Sequence, residues 1–407
     1  MKTINTNKSS AKSSAPPFVE TNSIEWLRKN FFSTWYNTLL TLILFSLILW
    51  GITNFIFWAT TEAEWQVIKV NLPLLMVGRY PRDQYWRIWL IVGIISSFSG
   101  FSWGVIARNS ATLFTLPVLI FIAVLPAILL LIPVAMPFKL LLVGMVILVI
   151  ATAWIGKQLG KKNSNLGKYL SFAWFIAFLL ILWLIGGGLG LKSVSTNDWG
   201  GLMLTILMAV VSIFLSFPLG VLLALGRQSK LLVIRIFSIG YIEIIRGLPL
   251  ISILFMGQIM IPLFLPDGMR PDRILRAILG LTLFSSAYLA ENVRGGLQSV
   301  PRGQTEAAKA LGLNTPLSLG LIVLPQALKV AIPSIVGQFI SLFQDTTLLS
   351  IVGLVELLGI SRSVLAQPQF LGDYAEVYLF DGVLFWIICY AMSVGSRQLE
   401  KKLNTAH

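Results

Sequence analysis

Apolar runs of about twenty residues, each closed by a short polar stretch, recur along almost the whole chain. Ten stand out, at about 34–58, 86–106, 111–132, 138–156, 169–190, 200–226, 247–265, 273–295, 318–345 and 377–396. A helix needs about 20 residues to cross a hydrocarbon layer about 30 Å thick. Backbone inside lipid must satisfy its own hydrogen bonds, so the pattern predicts an all-α polytopic membrane protein of about ten transmembrane helices. An even number of crossings puts both termini on one side.

The interruptions carry as much information as the runs. The stretch Leu231–Leu265 is too long for one perpendicular span at about 1.5 Å per residue. Arg246, Gly247 and Pro249 break it, which predicts a tilted or interfacial helix turning into a span. Glu243 and Arg246, three apart, are placed to pair on one helix face. Residues 316–360 are similarly long, and Pro325, Pro333, Gly337 and Asp345 predict a broken helix lining a cavity. Gly186-Gly187-Gly188-Leu189-Gly190, followed by Lys192–Asp198, reads as a flexible polar joint. It separates five spans from five, giving a polar tail at 1–33, a transmembrane extension at 34–190 and a second unit at 198–400. Rich in Ser, Thr and Asn, the tail is too polar for a signal peptide.

Composition narrows the chemistry. Of 407 residues 56% are hydrophobic and 12% charged, against about a quarter charged in soluble chains. The net charge of +14 fits basic loops facing anionic headgroups, so membrane lipid is a partner and nucleic acid is not. Lys157, Lys161, Lys162 and Lys168 crowd one acid-free loop, which places that side and both termini in the cytoplasm. One cysteine, Cys389, and one histidine, His407, leave no disulfide, no metal site and no His-based catalysis. No phosphate-binding G-x-x-x-x-G-K-[S/T] loop occurs, so the chain does not bind ATP in that way.

The most specific motif lies between spans: Glu306-Ala307-Ala308, then Gly312, then Ile322, Leu324 and Pro325. Pro301 opens a short helix there and Gly312 closes it. Thr315-Pro316 supplies the N-cap and first-turn proline of the next helix. Small Ala307 and Ala308 let another surface approach, and Glu306 offers a carboxylate.

With Ile245–Leu250, Ala287–Gly296, Gly303–Gly312, Leu324–Ala327, Asp345–Leu348 and Glu356-Leu357, this motif resembles the permease core of bacterial ABC importers for polar amino acids, over about 198–400. Leu248 stands where that family usually has Thr, and Gln344 where Lys is common. The resemblance implies five core helices and a coupling loop at 301–316. It also implies a cytoplasmic ABC ATPase dimer binding ATP and Mg, a second homologous permease subunit and a periplasmic substrate-binding protein. This chain would then be no enzyme and would hold no cofactor. Asn71-Leu72-Pro73, Val77–Pro81 and Trp86-Arg87 resemble the extension of the larger permease subunit in general L-amino-acid and glutamate/glutamine/aspartate importers. That implies a multi-pass protein of the bacterial inner membrane, carrying acidic and neutral polar amino acids.

Ionisable and amide side chains within spans mark a path by default, here Glu291, Asn292, Gln338 and Asp345. Glu291 suits a substrate ammonium, and Asn292 or Gln338 a carboxylate. Glu291 and Arg294 also suit a structural ion pair, and both roles stay open. An ion-gradient-driven secondary amino-acid transporter is the alternative function; it predicts buried carboxylate chains or an inverted repeat, and neither is evident.

Overall fold

The computed structural model describes residues 23–109, 136–163, 165–266 and 268–404. The chain forms two compact units, one ending at Glu64 and the other running from Trp65 to His407. In the first unit α1 (Ser23–Phe31) leads into α2 (Trp35–Glu62). The Thr34 hydroxyl starts α2 by accepting from the Asn37 backbone N–H at 3.4 Å. No residue of Trp35–Phe57 is buried. A helix apolar around its whole circumference is one whose solvent is lipid.

The second unit holds α3 (Gln66–Val77), α4 (Arg82–Ile106), α5 (Met136–Lys162), α6 (Leu166–Gly186) and α7 (Gly201–Arg227). After these come α8 (Leu232–Gly247), α9 (Leu250–Phe264), α10 (Arg273–Ser299), α11 (Arg302–Ala310), α12 (Thr315–Ser350), α13 (Leu357–Leu365) and α14 (Tyr374–Asn404). Among the described residues eight helices can cross a membrane, or nine when the bent pair α8–α9 counts as one span. The span expected at 111–132 lies outside the described residues.

Glycines set the helix pairs. Gly93 lies beside Met145, Gly100 beside Val149 and Thr152, Gly104 beside Ala153 and Lys157, and Gly160 beside Val105. Residue numbers rise together, so α4 and α5 run parallel, and α4 ends at the face opposite the one where α5 begins. Both carry glycines four apart on the shared face, Gly100 and Gly104 against Gly156 and Gly160. A methyl group on Gly104 would stand 2.7 Å from the Lys157 backbone nitrogen. Close approach at small residues is how helices associate where lipid removes the hydrophobic drive. The same device joins α7 to α10, where Gly220 would place a Cβ 2.7 Å from that of Leu289. Ser212, Ser216, Ser285 and Ser286 are buried on the same two helices.

α8 and α9 meet at 103°. Leu248 is extended there, and Pro249 caps α9 with φ −63°, as the sequence predicts. Three other expectations are corrected. α12 is not broken: at Leu319–Val323 it widens to a π-turn, with Leu324 N–H bonding the Leu319 carbonyl. Pro325 thereby falls in the first turn of the α-helical stretch that follows, where a missing N–H costs least. The 186–190 segment is a pinned turn instead of a flexible joint. Gly188 and Leu191 exchange backbone hydrogen bonds of 2.9 and 3.1 Å, and the Trp183 indole donates to the Gly188 carbonyl at 2.9 Å. Glu243 pairs with Arg227 from α7, at 3.2 Å, because Arg246 turns to Glu291 on α10 instead.

At the end opposite α11, α3 packs against α13 and α14 through Val67, Ile68, Leu75, Leu357, Ile360, Val364 and Val377. α3 and the later helices α13 and α14 therefore share one core.

Candidate functional site

The expected coupling loop stands as a short helix between two sharp turns. Pro301 leads into α11 with extended backbone (ψ 137°). At its far end Leu313 N–H bonds the Ala308 carbonyl at 3.1 Å and Gly312 N–H the Lys309 carbonyl at 2.9 Å. This paired arrangement needs a left-handed residue after the helix, and Gly312 supplies it at φ +77°. The cap of the next helix is Asn314 and not Thr315. The Asn314 side chain accepts from the Leu317 N–H at 3.1 Å. Asn and Thr are both good caps, and the turn leaving Gly312 puts Asn314 at the junction. Pro316 sits in the first turn, as expected.

Ala308 is buried and anchors α11, whereas Glu306 and Ala307 are exposed. Past the turn Ile322 and Leu324 are half-buried in and just after the π-turn, and Pro325 is exposed. The Gln326 side chain donates to Gln304 at 3.4 Å, fastening α11 to α12. The loop is therefore a capped helix projecting between α10 and α12.

Next to it along α10, Glu291 gathers three arginines. Arg227 approaches one carboxylate oxygen at 2.7 Å, while Arg294 (2.7 Å) and Arg246 (3.8 Å) approach the other. The Arg246 guanidinium also lies 5.5 Å from the Tyr288 ring centre. The cluster joins α7, the α8–α9 bend and α10, so Arg246, singled out as a helix breaker, also has an electrostatic role. Arg227 escaped the sequence reading, because nothing in its neighbours reveals that α7 ends beside Glu291.

The other path residues fall on two helices. Asn292 donates to the Ser334 carbonyl at 3.2 Å and ties α10 to α12. On α12, Ser334, Gln338, Ser341 and Asp345 are spaced four, three and four apart, on one face. Ser334 and Ser341 are exposed, and Gln338 and Asp345 half-buried. A polar stripe open on a membrane-spanning helix does not face lipid; it faces water or another protein. Thus Asn292 meets the stripe at Ser334, one turn from Gln338, Asp345 lies about 10 Å further along α12, and Glu291 is engaged by arginines.

Comparison with known proteins identifies the family. Residues 216–405 match the family model described as binding-protein-dependent transport system inner membrane component. The inner membrane amino-acid ABC transporter permease protein YhdY of Escherichia coli is 36% identical over 93% of both chains. The glutamate/glutamine/aspartate/asparagine transport system permease protein BztC of Rhodobacter capsulatus is 35% identical over 96% of both. The probable glutamine ABC transporter permease protein GlnP of Bacillus subtilis is 35% identical, and 91% of it aligns with 50% of this chain. The chain belongs to the inner membrane components of binding-protein-dependent transport systems, as one of the amino-acid ABC transporter permeases.

Proposed function

We propose that this chain is the transmembrane subunit of an ATP-driven importer for acidic and neutral polar amino acids, working with a second permease subunit, a separate ATPase dimer and a substrate-binding protein. The observation that carries the reading is the exposed α11, which presents Glu306 and Ala307 at one end of the bundle. An ATPase docked there moves α10 and α12 together, because Gln304–Gln326 and the Gly312 turn leave little play between them. Closure of that partner on ATP biases a two-state bundle between outward and inward access. The α11 end is then cytoplasmic, with both termini on that side. The stripe Ser334, Gln338, Ser341 and Asp345 lines the path, with Asn292 at its inner part. The family match at 216–405 supports a core at about 198–400, with 34–190 as an added extension. The glutamate, glutamine, aspartate and asparagine specificity of the similar BztC supports this substrate class.

The test is purification of the complex with its partners identified by mass, then uptake of labelled glutamate, glutamine and aspartate into vesicles. Uptake that requires ATP supports the proposal. Uptake driven by an ion gradient alone, or a chain that purifies without any ATPase, sinks it.

A further inference from the structure

Lys157 rises from the stripe of α5 pressed against α4. Its neighbours on that stripe, Ala153, Gly156 and Gly160, are buried, and Lys157 itself is only 8% exposed. Among the described residues no hydrogen bond or ion pair engages its ammonium. Its stem is buried, while its ammonium reaches the surface of the junction, where a neighbouring anion is favoured. The surrounding chain offers none: residues 84–197 contain no Asp or Glu. They offer more cations instead. Arg108, at the end of α4, reaches the α5–α6 turn, its Nη1 3.9 Å from where a Gly167 side chain would begin. Lys161 and Lys162 close α5, and Lys168 sits in the first turn of α6; all three are exposed.

Two further observations identify the anion that fits. Trp154 and Tyr169 flank the cations with 57% and 64% of their surfaces open, and exposed Trp and Tyr mark headgroup level. Beside them Ile155, Leu159 and Phe172 present an open apolar wall. A soluble anion has no use for such a wall, whereas acyl chains do. We infer that the α4–α5–α6 junction binds the phosphate of an anionic phospholipid, with Lys157 as its inner ligand and Arg108, Lys161, Lys162 and Lys168 around the rim. The site uses no residue of the 301–316 loop or the α12 stripe, so it stands or falls apart from the transport reading.

The experiment uses the full-length chain in vesicles of phosphatidylcholine, alone or mixed with phosphatidylglycerol, followed by native mass spectrometry of retained lipid and a thermal melt. Phosphatidylglycerol should be retained and should raise the melting temperature. Lys157→Gln should lower retention roughly fivefold, the effect of losing one cation near an anionic surface. The exposed triple variant K161Q/K162Q/K168Q should lower it at least as far while melting normally in pure phosphatidylcholine. That variant decides the matter if Lys157→Gln fails to fold. Equal retention by the native chain and the triple variant overturns the inference. So does equal stabilisation by inorganic phosphate in phosphatidylcholine vesicles, which would make the ligand a soluble anion.

Discussion

Glu291 pairs with three guanidinium groups from three helical segments, so its removal does more than delete one ion pair. Glu291→Gln leaves Arg227, Arg246 and Arg294 facing one another with only Glu243 in reach of Arg227. The Glu291 side chain is 15% exposed and those of its partners 25–37%. The cost therefore falls between that of an exposed pair and a buried one, on the order of 2 kcal/mol. The expected result is a lower melting temperature, partly restored by adding Arg294→Gln; a double variant no better than the single one would assign the loss to something other than charge. Glu356 behaves in the opposite sense. Lying between α12 and α13, it is fully buried and caps α13, accepting from the Leu358 and Gly359 N–H groups at 2.9 Å each. Burial pushes its carboxyl up from an ordinary 4.5 to about 7; the two N–H groups and Arg362 pull it down, and Asp381 adds to the rise. The folded chain thus holds a proton that the unfolded chain has released. Its contribution to stability is whole below about 4.5, falls as pH climbs and is lost above about 7, on the order of 3 kcal/mol in all. Melting temperature should fall between pH 5 and 8, and Glu356→Gln, which keeps a cap acceptor, should flatten that slope. An unchanged slope would show that another group titrates.

Among the elements, the parallel pair α4–α5 gives the sharpest expectation. Gly104→Leu or Gly156→Leu drives a side chain into the backbone of the facing helix, so the pair must separate. Overpacking of this kind costs about 1–3 kcal/mol in cores that can yield, and more where the obstacle is backbone. Gly144→Ala on the same α5, with nothing within 4 Å, should not lower stability and should raise it by up to about 1 kcal/mol, since Ala favours a helix over Gly. Thermal melts of the three variants in detergent check this, and equal melting would refute the close packing. Elements were legible in the sequence where a local rule acts alone. The spans follow from apolar runs, the α8–α9 bend from Gly247 and Pro249, and the α11 terminus from Gly312. Rules in competition were not legible. Asn314 and Thr315 are both good caps, and the choice rests on the turn before them. Pro325 reads as a breaker until a π-turn absorbs it. The glycine spacings of α4 and α5 were present in the sequence, but which helices they join is a property of the packed chain. Likewise, nothing near Arg227 announces that it meets Glu291, 64 residues away.

At the scale of the whole molecule, the division after Glu64 does not coincide with the boundary near 190 that the polar joint predicts. α3 buries Val67, Ile68 and Leu75 against α13 and α14. Gly78 and Gly201 pack against Gly200 and Leu75, and Tyr80 donates to the Ile185 carbonyl at 3.0 Å. α3, the 78–80 segment and the end of α6 are thereby built onto the residues matched by the transport family. α2 is different in kind, since no residue of Trp35–Phe57 is buried. Its stability comes from its own hydrogen bonds and from lipid, which suit an apolar helix. The stability of the Trp65–His407 unit should therefore not depend on a covalent link to α2. A protease site engineered between Glu64 and Trp65, cut after the protein has been inserted and purified, tests this without disturbing insertion. The melting temperature of the cut protein should stay within about 1 °C of the uncut one, less than the shift expected from 1 kcal/mol. A fall of more than about 4 °C would mean that α2 supports the larger unit, and the division at Glu64 would then have to be abandoned.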